Sequence, residues 1–209
     1  MTIADKVTTS RLIFAPAFFV VYFLPRFFPS AFAVTPSPAE ANSCFMGALW
    51  TVPVLWFLFV GSEITDMLDG MIARKRGEVN DFGKLYDPFA DTLTQLAFFL
   101  CFVVDGILSP FLFLLVLYRE FGILFVRNLM LKKGVAMGAR LGGKIKTIAY
   151  ILAGALALLA YSAGRLGAGA GLYRWLRIAA NSVFAVSIII AIVSFLDYVS
   201  VYRKAPEKN

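Results

Sequence analysis

The sequence predicts an all-α fold, a polytopic membrane protein built as a bundle of six transmembrane helices, and three observations lead there. Of the 209 residues, 60% are hydrophobic and only 16% charged, with a mean hydropathy of +0.78. A soluble domain of this length has too little interior to hide so much apolar side chain, including 21 Phe. Apolar runs approaching the roughly 20 residues that a bilayer core requires recur along the whole chain. Lysine and arginine, finally, collect at alternate ends of those runs. The chain reads as a single domain over residues 1–209.

The first run, about 7–28, has Lys6 and Arg11 at its start and lacks the small-residue cleavage site of a signal peptide, so it is expected to stay as a span. Pro29 to Ser43, with Pro36 and Pro38, reads as an extended external loop. The second run covers about 46–73, and the short polar connection from Arg74 to Phe82 makes it an antiparallel neighbour of the third, about 83–105. The Asp105–Pro110 turn leads into a fourth run, about 109–131, and a basic connection leads to a fifth, about 145–163. Gly164 to Gly171 is a Gly/Ala-rich turn before the sixth, about 176–202; Arg174 and Arg177 fit a short interfacial helix ahead of it. The tail from Arg203 is polar.

Basic residues set the orientation. Lys6 and Arg11, then Arg74, Lys75, Arg76 and Lys84, then Lys132, Lys133, Arg140, Lys144 and Lys146, and finally Arg203, Lys204 and Lys208 all fall on one side. The other side has Arg26, Arg165, Arg174 and Arg177. The asymmetry places both termini in the cytoplasm, as expected of a bacterial inner (cytoplasmic) membrane protein. A net charge of +7 distributed this way fits attraction to anionic headgroups of the lipid bilayer, and no nucleic acid is expected as a partner. With no histidine in the chain, a His-based zinc site, triad or general base is excluded. Cys44 and Cys101 show no metal-ligand spacing. No internal repeat supports an inverted-repeat transporter, and small residues around Gly143 and from Ala149 to Ala157 could serve packing within the bundle or a homodimer.

Four aspartates break the apolar pattern. Asp66, Asp69, Gly70 and Ala73 stand at i, i+3, i+4 and i+7, sharing one face at the cytoplasmic end of the second span. Gly83, Asp87 and Asp91, at successive intervals of four, share a face of the third. Carboxylates there are costly to desolvate and would repel one another. Hard divalent cations with oxygen ligands, Mg²⁺ or Mn²⁺, relieve both problems, and two ions could fit among four carboxylates. Gly70, Ala73 and Gly83 leave room for a ligand, and Arg74 could meet an anionic group such as a phosphate. The plainer alternative is a solvated charged loop at the membrane surface.

The run Asp66-x-x-Asp69-Gly70-x-x-Ala73-Arg74-x8-Gly83-x-x-x-Asp87-x-x-x-Asp91 resembles the signature of the CDP-alcohol phosphotransferases at every defined position. That resemblance implies six membrane spans and a two-metal site on Asp66, Asp69, Asp87 and Asp91. It further implies Asp91 as the general base for the acceptor hydroxyl, and a cytidine diphosphate moiety held by Asp66, Gly70, Ala73, Arg74 and Gly83.

The acceptor is read from other residues. Thr8 and Arg11, followed by Pro16, resemble the N-terminal pattern of the phosphatidylglycerophosphate synthase branch, with Asp5 where Asn is usual. Arg119-Glu120, Arg127 and the Gly143-Lys144-Ile145-Lys146-Thr147 run resemble that branch too. A phosphate-bearing acceptor needs cations near the metals, a need that Arg119, Arg127, Lys144 and Lys146 could meet. Plain membrane anchoring is the alternative for the two lysines, and a structural ion pair the alternative for Arg119. Adjacent residues point to different faces of a helix, so Glu120 is an awkward partner for Arg119.

The expected reaction is phosphatidyl transfer from CDP-diacylglycerol to glycerol 3-phosphate, with CMP released. Alternatives keep the chemistry and change the acceptor to inositol phosphate or serine, or use CDP-choline or CDP-ethanolamine with diacylglycerol. A divalent-cation transporter and a structural protein with a stabilising metal are further classes.

Overall fold

The computed structural model describes residues 3–27, 49–76, 81–133 and 141–204, with their side chains except at 3–8, 10, 66–76, 81–85, 132, 141–142, 144 and 204. The expected Pro29–Ser43 loop, Cys44 and the extreme tail lie outside these residues. Among the described residues six helices follow one another: α1 Ile3–Phe27, α2 Thr51–Arg76, α3 Asp81–Val104, α4 Pro110–Lys132, α5 Leu141–Arg165 and α6 Ala170–Lys204. Among the described residues there is no strand. The segments Tyr86–Val104, Ile145–Arg165 and Ala170–Arg203 are each long and apolar enough to cross a membrane, and α2 contributes a shorter apolar stretch, Thr51–Thr65.

The helix ends depart from the hydropathy reading by up to six residues, the largest shifts being α2 beginning at Thr51 rather than about 46 and α6 at Ala170 rather than about 176. Two of the differences have a clear physical reason. α2 continues through Arg74 and Lys75 to Arg76, because helix propagation needs only backbone bonds and Lys and Arg are good helix formers. Arg174 and Arg177 belong to the first turns of α6 itself, with no separate interfacial helix; no Gly or Pro stands between them and the apolar run to break the helix.

Turns at one end are fixed by local chemistry. Pro110 presets the backbone at the first position of α4. The Asn181 side chain of α6 accepts the Ser109 N–H (2.9 Å) and donates to the Ile107 carbonyl (2.7 Å), clamping the α3–α4 turn to the sixth helix. Gly167 and Gly169 take φ of 66° and 59° between α5 and α6, a left-handed conformation that costs glycine nothing. Asp105 at this end accepts from the Tyr22 hydroxyl (2.7 Å) and pairs with Arg26, tying α1 to the end of α3.

An aromatic core joins the helices. Phe18 of α1 meets Phe98 of α3 at 4.5 Å between ring centroids, Tyr22 stacks on Tyr161 of α5 at 4.4 Å, and Phe99 lies 4.8 Å from Phe184 of α6. α5 and α6 form an antiparallel pair, α1 lies against both α2 and α3, and α4 packs on α6. At Gly154 of α5 a Cβ would meet the Phe59 ring at 3.0 Å, so the absent side chain is what lets α5 approach α2. Ile13, Phe57, Phe111, Ile148, Trp175 and Ile189 point outward. In water a surface of this kind is a liability; against lipid tails it costs nothing.

Candidate active site

α3 carries Asp87 and Asp91 one turn apart, both partly buried, with Pro88 between them. A hydrogen bond of 3.2 Å joins Thr9 Oγ1 of α1 to the Tyr86 hydroxyl, and Thr94 Oγ1 donates to the Arg11 carbonyl at 3.4 Å. The N-terminal motif therefore runs beside the aspartate turns of α3, with the Arg11 side chain buried there; the Thr8 side chain lies outside the described residues. Because α2 is helical as far as Arg76, Asp66, Asp69, Gly70 and Ala73 recur on one helical face as their spacing requires. The side chains of these four, of Arg74 and of Gly83 lie outside the described residues.

Asp87 and Asp91 offer only oxygen donors, and the chain has no histidine to compete. Such a donor set suits Mg²⁺ or Mn²⁺ and is wrong for soft-ligand metals. Cys101, the nearest thiol on α3, stands ten residues beyond Asp91 and is buried in the aromatic core. Among the described residues no three acidic or sulfur groups gather; Asp66 and Asp69 would have to complete the set.

Asp91 opens into a cavity of about 160 Å³ whose other walls are Arg119, Glu120, Ile123 and Arg127 from α4, Gly143, Lys146 and Thr147 from α5, and Tyr198 from α6. Three of the four cations expected to grip an acceptor phosphate thus meet Asp91 in one chamber. The fourth, Lys144, has its side chain outside the described residues. Drug-sized ligands occupy roughly 300–1,000 Å³, so this chamber suits a small polar molecule better than a nucleotide or a diacyl lipid. Its three cations outnumber its two carboxylates, which favours an anionic guest over a quaternary amine. A larger hollow, about 350 Å³, lies at the other end beside the α5–α6 turn, lined by Ala, Gly and Tyr173. It has no charged side chain with which to grip a phosphate.

The cations are held differently. Arg119 is buried, donates from Nε to the Ala191 carbonyl of α6 (3.0 Å) and from Nη1 to Glu120 Oε1 (2.8 Å). The expectation that neighbours in sequence make awkward partners fails here. Both side chains are long enough for their ends to meet, and from α5 Lys146 Nζ donates to the same Glu120 oxygen at 3.0 Å. Lys146 also lies 4.8 Å above the Tyr150 ring, one helical turn on. Arg127 sits over the Tyr198 ring at 5.6 Å, and its buried Nε has no hydrogen-bond partner among the described residues. Glu120 and Tyr198 were not anticipated as parts of the site. The Lys146–Tyr150 spacing of four is a pair that sequence could have shown; the crossing from α4 to Tyr198 of α6 is not.

The sequence profile of the CDP-alcohol phosphatidyltransferases matches residues 1–196. The chain belongs to this family. A CDP-diacylglycerol–glycerol-3-phosphate 3-phosphatidyltransferase of Treponema pallidum (strain Nichols) is 38% identical over 205 residues, covering 97% of this chain and 89% of that protein. The Bacillus subtilis (strain 168) protein of the same name is 30% identical over 155 residues, 74% of this chain and 75% of its own. A probable phosphatidylglycerophosphate synthase of Mycobacterium tuberculosis (strain ATCC 25618 / H37Rv) is 31% identical over 147 residues, 70% of this chain and 65% of that protein. The CDP-alcohol phosphatidyltransferases depend on divalent metals and are integral to membranes, in keeping with the oxygen donors of α3 and the apolar helices.

Proposed function

We propose that this phosphatidyltransferase moves the phosphatidyl group of CDP-diacylglycerol to glycerol 3-phosphate, giving phosphatidylglycerophosphate and CMP. The observation that carries the reading is the small cavity in which Asp91 meets Arg119, Arg127 and Lys146. Asp91 takes the proton of the acceptor hydroxyl; that oxygen bonds to the phosphatidyl phosphorus, and the bond to the CMP phosphate breaks with its electron pair leaving on CMP. The cations hold the acceptor's own phosphate, so one small molecule is gripped at one end and deprotonated at the other. Asp66, Asp69, Asp87 and Asp91 would hold two Mg²⁺ or Mn²⁺ ions, which supply charge neutralisation for the pyrophosphate. Asp66, Gly70, Ala73, Arg74 and Gly83 are assigned to the cytidine diphosphate moiety, and Thr8 and Arg11 to the N-terminal motif, where the Thr9 hydroxyl and the Arg11 carbonyl brace α1 against α3.

All six helices span the bilayer in this reading, as one domain over residues 1–209. The basic connections, both termini and the aspartates face the cytoplasm in a bacterial inner membrane. The test uses purified protein in mixed micelles with CDP-diacylglycerol, Mg²⁺ or Mn²⁺ and a panel of acceptors. CMP should appear with glycerol 3-phosphate. Release only with serine or inositol phosphate would overturn the acceptor, and metal flux into liposomes without CMP release would overturn the enzyme.

A further inference from the structure

We infer that Glu120 is a positioning residue for the acceptor, acting through Lys146 and Arg119. The inference rests on the reading of the Asp91 cavity as the acceptor site. One carboxylate oxygen, Oε1, accepts from Lys146 Nζ at 3.0 Å and from Arg119 Nη1 at 2.8 Å, and all three side chains are more than nine-tenths buried. Two cations brought this close without an anion between them would repel and turn apart. Shared on one oxygen, they are fixed on one wall of the cavity that Asp91 also lines. Each anchor has a second support: Arg119 Nε is taken by the Ala191 carbonyl, and Lys146 rests on the Tyr150 ring. Lys146 then keeps two N–H donors that Glu120 does not use, so a phosphate meets donors already in place.

A positional role and a simple field effect have opposite signs. If Glu120 only lowered the positive potential, Glu120→Gln would tighten an anionic acceptor and lower its KM. If it positions the cations, the same variant raises the acceptor KM, by about tenfold for a charge-assisted bond lost or misplaced, while the CDP-diacylglycerol KM stays within about twofold. Glu120→Asp keeps the charge but draws the oxygen back by one methylene, so it too should raise the acceptor KM. In a Lys146→Gln background, Glu120→Gln should add little, since its effect runs largely through that lysine.

The experiment is steady-state kinetics with glycerol 3-phosphate and CDP-diacylglycerol in mixed micelles, for Glu120→Gln, Glu120→Asp, Lys146→Gln and the double variant. An acceptor KM that is unchanged or lowered in Glu120→Gln overturns the inference, as does an equal rise in both KM values. Should Glu120→Gln not fold, Glu120→Asp decides: wild-type acceptor KM in that variant overturns the geometric argument. Failure of the wild-type enzyme to use glycerol 3-phosphate refutes the underlying function instead, so the two failures are distinct.

Discussion

Replacing Arg127 by Met should cost activity and spare stability, an unusual combination that follows from how the arginine is held. Its guanidinium lies over the Tyr198 ring at 5.6 Å, while its buried Nε has no hydrogen-bond partner among the described residues. A buried donor left unsatisfied costs about 1–3 kcal/mol. A cation–π contact returns about 0.5–2 kcal/mol. The two nearly cancel, and Met fills a similar volume against Tyr198, so the melting temperature should stay the same or rise. Activity moves the other way. A charge-assisted bond to the acceptor phosphate is worth about 1.5–3 kcal/mol, and each 1.36 kcal/mol is tenfold. Acceptor kcat/KM should therefore fall by about 10- to 150-fold, mostly through KM. Initial rates of CMP release, with acceptor and donor varied in turn, read the first effect, and thermal unfolding followed by tryptophan fluorescence reads the second. An unchanged acceptor KM, or equal losses for donor and acceptor, would refute the phosphate role. A large fall in melting temperature would show that Arg127 is structural.

Asp91→Asn should abolish CMP release while CDP still binds, measured by calorimetry on the solubilised protein; turnover at the wild-type rate would remove Asp91 as the base. Arg119→Met breaks a buried pair and frees the Ala191 carbonyl, so unfolding should be easier by about 3–5 kcal/mol, seen as a lower melting temperature whether or not substrate is present. Gly154→Leu forces a side chain into the Phe59 ring, 3.0 Å from where its Cβ must sit, and should destabilise by about 1–3 kcal/mol with both KM values retained. Chelation with EDTA should stop CMP release, and Mg²⁺ or Mn²⁺ added back in excess should restore it; activity that survives chelation would rule out the metal assignment.

Much of the fold was open to sequence reading because lipid simplifies the problem. Each helix satisfies its own backbone, so long apolar runs had one viable structure. The aspartate spacing is a local property of a single helix, and helical geometry alone places Asp87 and Asp91 one turn apart. The convergence of Arg119, Arg127 and Lys146 on Asp91 could be guessed from the chemistry of an anionic acceptor, but not drawn. The Glu120 bridge was misjudged because periodicity reports where a Cβ points, not where a long side chain ends. Tyr198 escaped for a related reason: its place depends on how α6 crosses α4, which no spacing within either helix encodes. Arg174 and Arg177 were misplaced because charge suggested a boundary where the backbone has none.

α6 is a single rod of 35 residues, about 52 Å at 1.5 Å per residue, against a hydrocarbon core of about 30 Å. Such a rod must tilt or protrude, and its tilt follows the thickness of the lipid around it. The same rod supplies the Ala191 carbonyl that anchors Arg119 and the Tyr198 ring beneath Arg127. Any rocking of α6 therefore displaces both supports of the cationic wall together. The element that measures the bilayer is mechanically continuous with the wall proposed to receive the acceptor, so on that proposal the acceptor KM should depend on the acyl-chain length of the surrounding lipid.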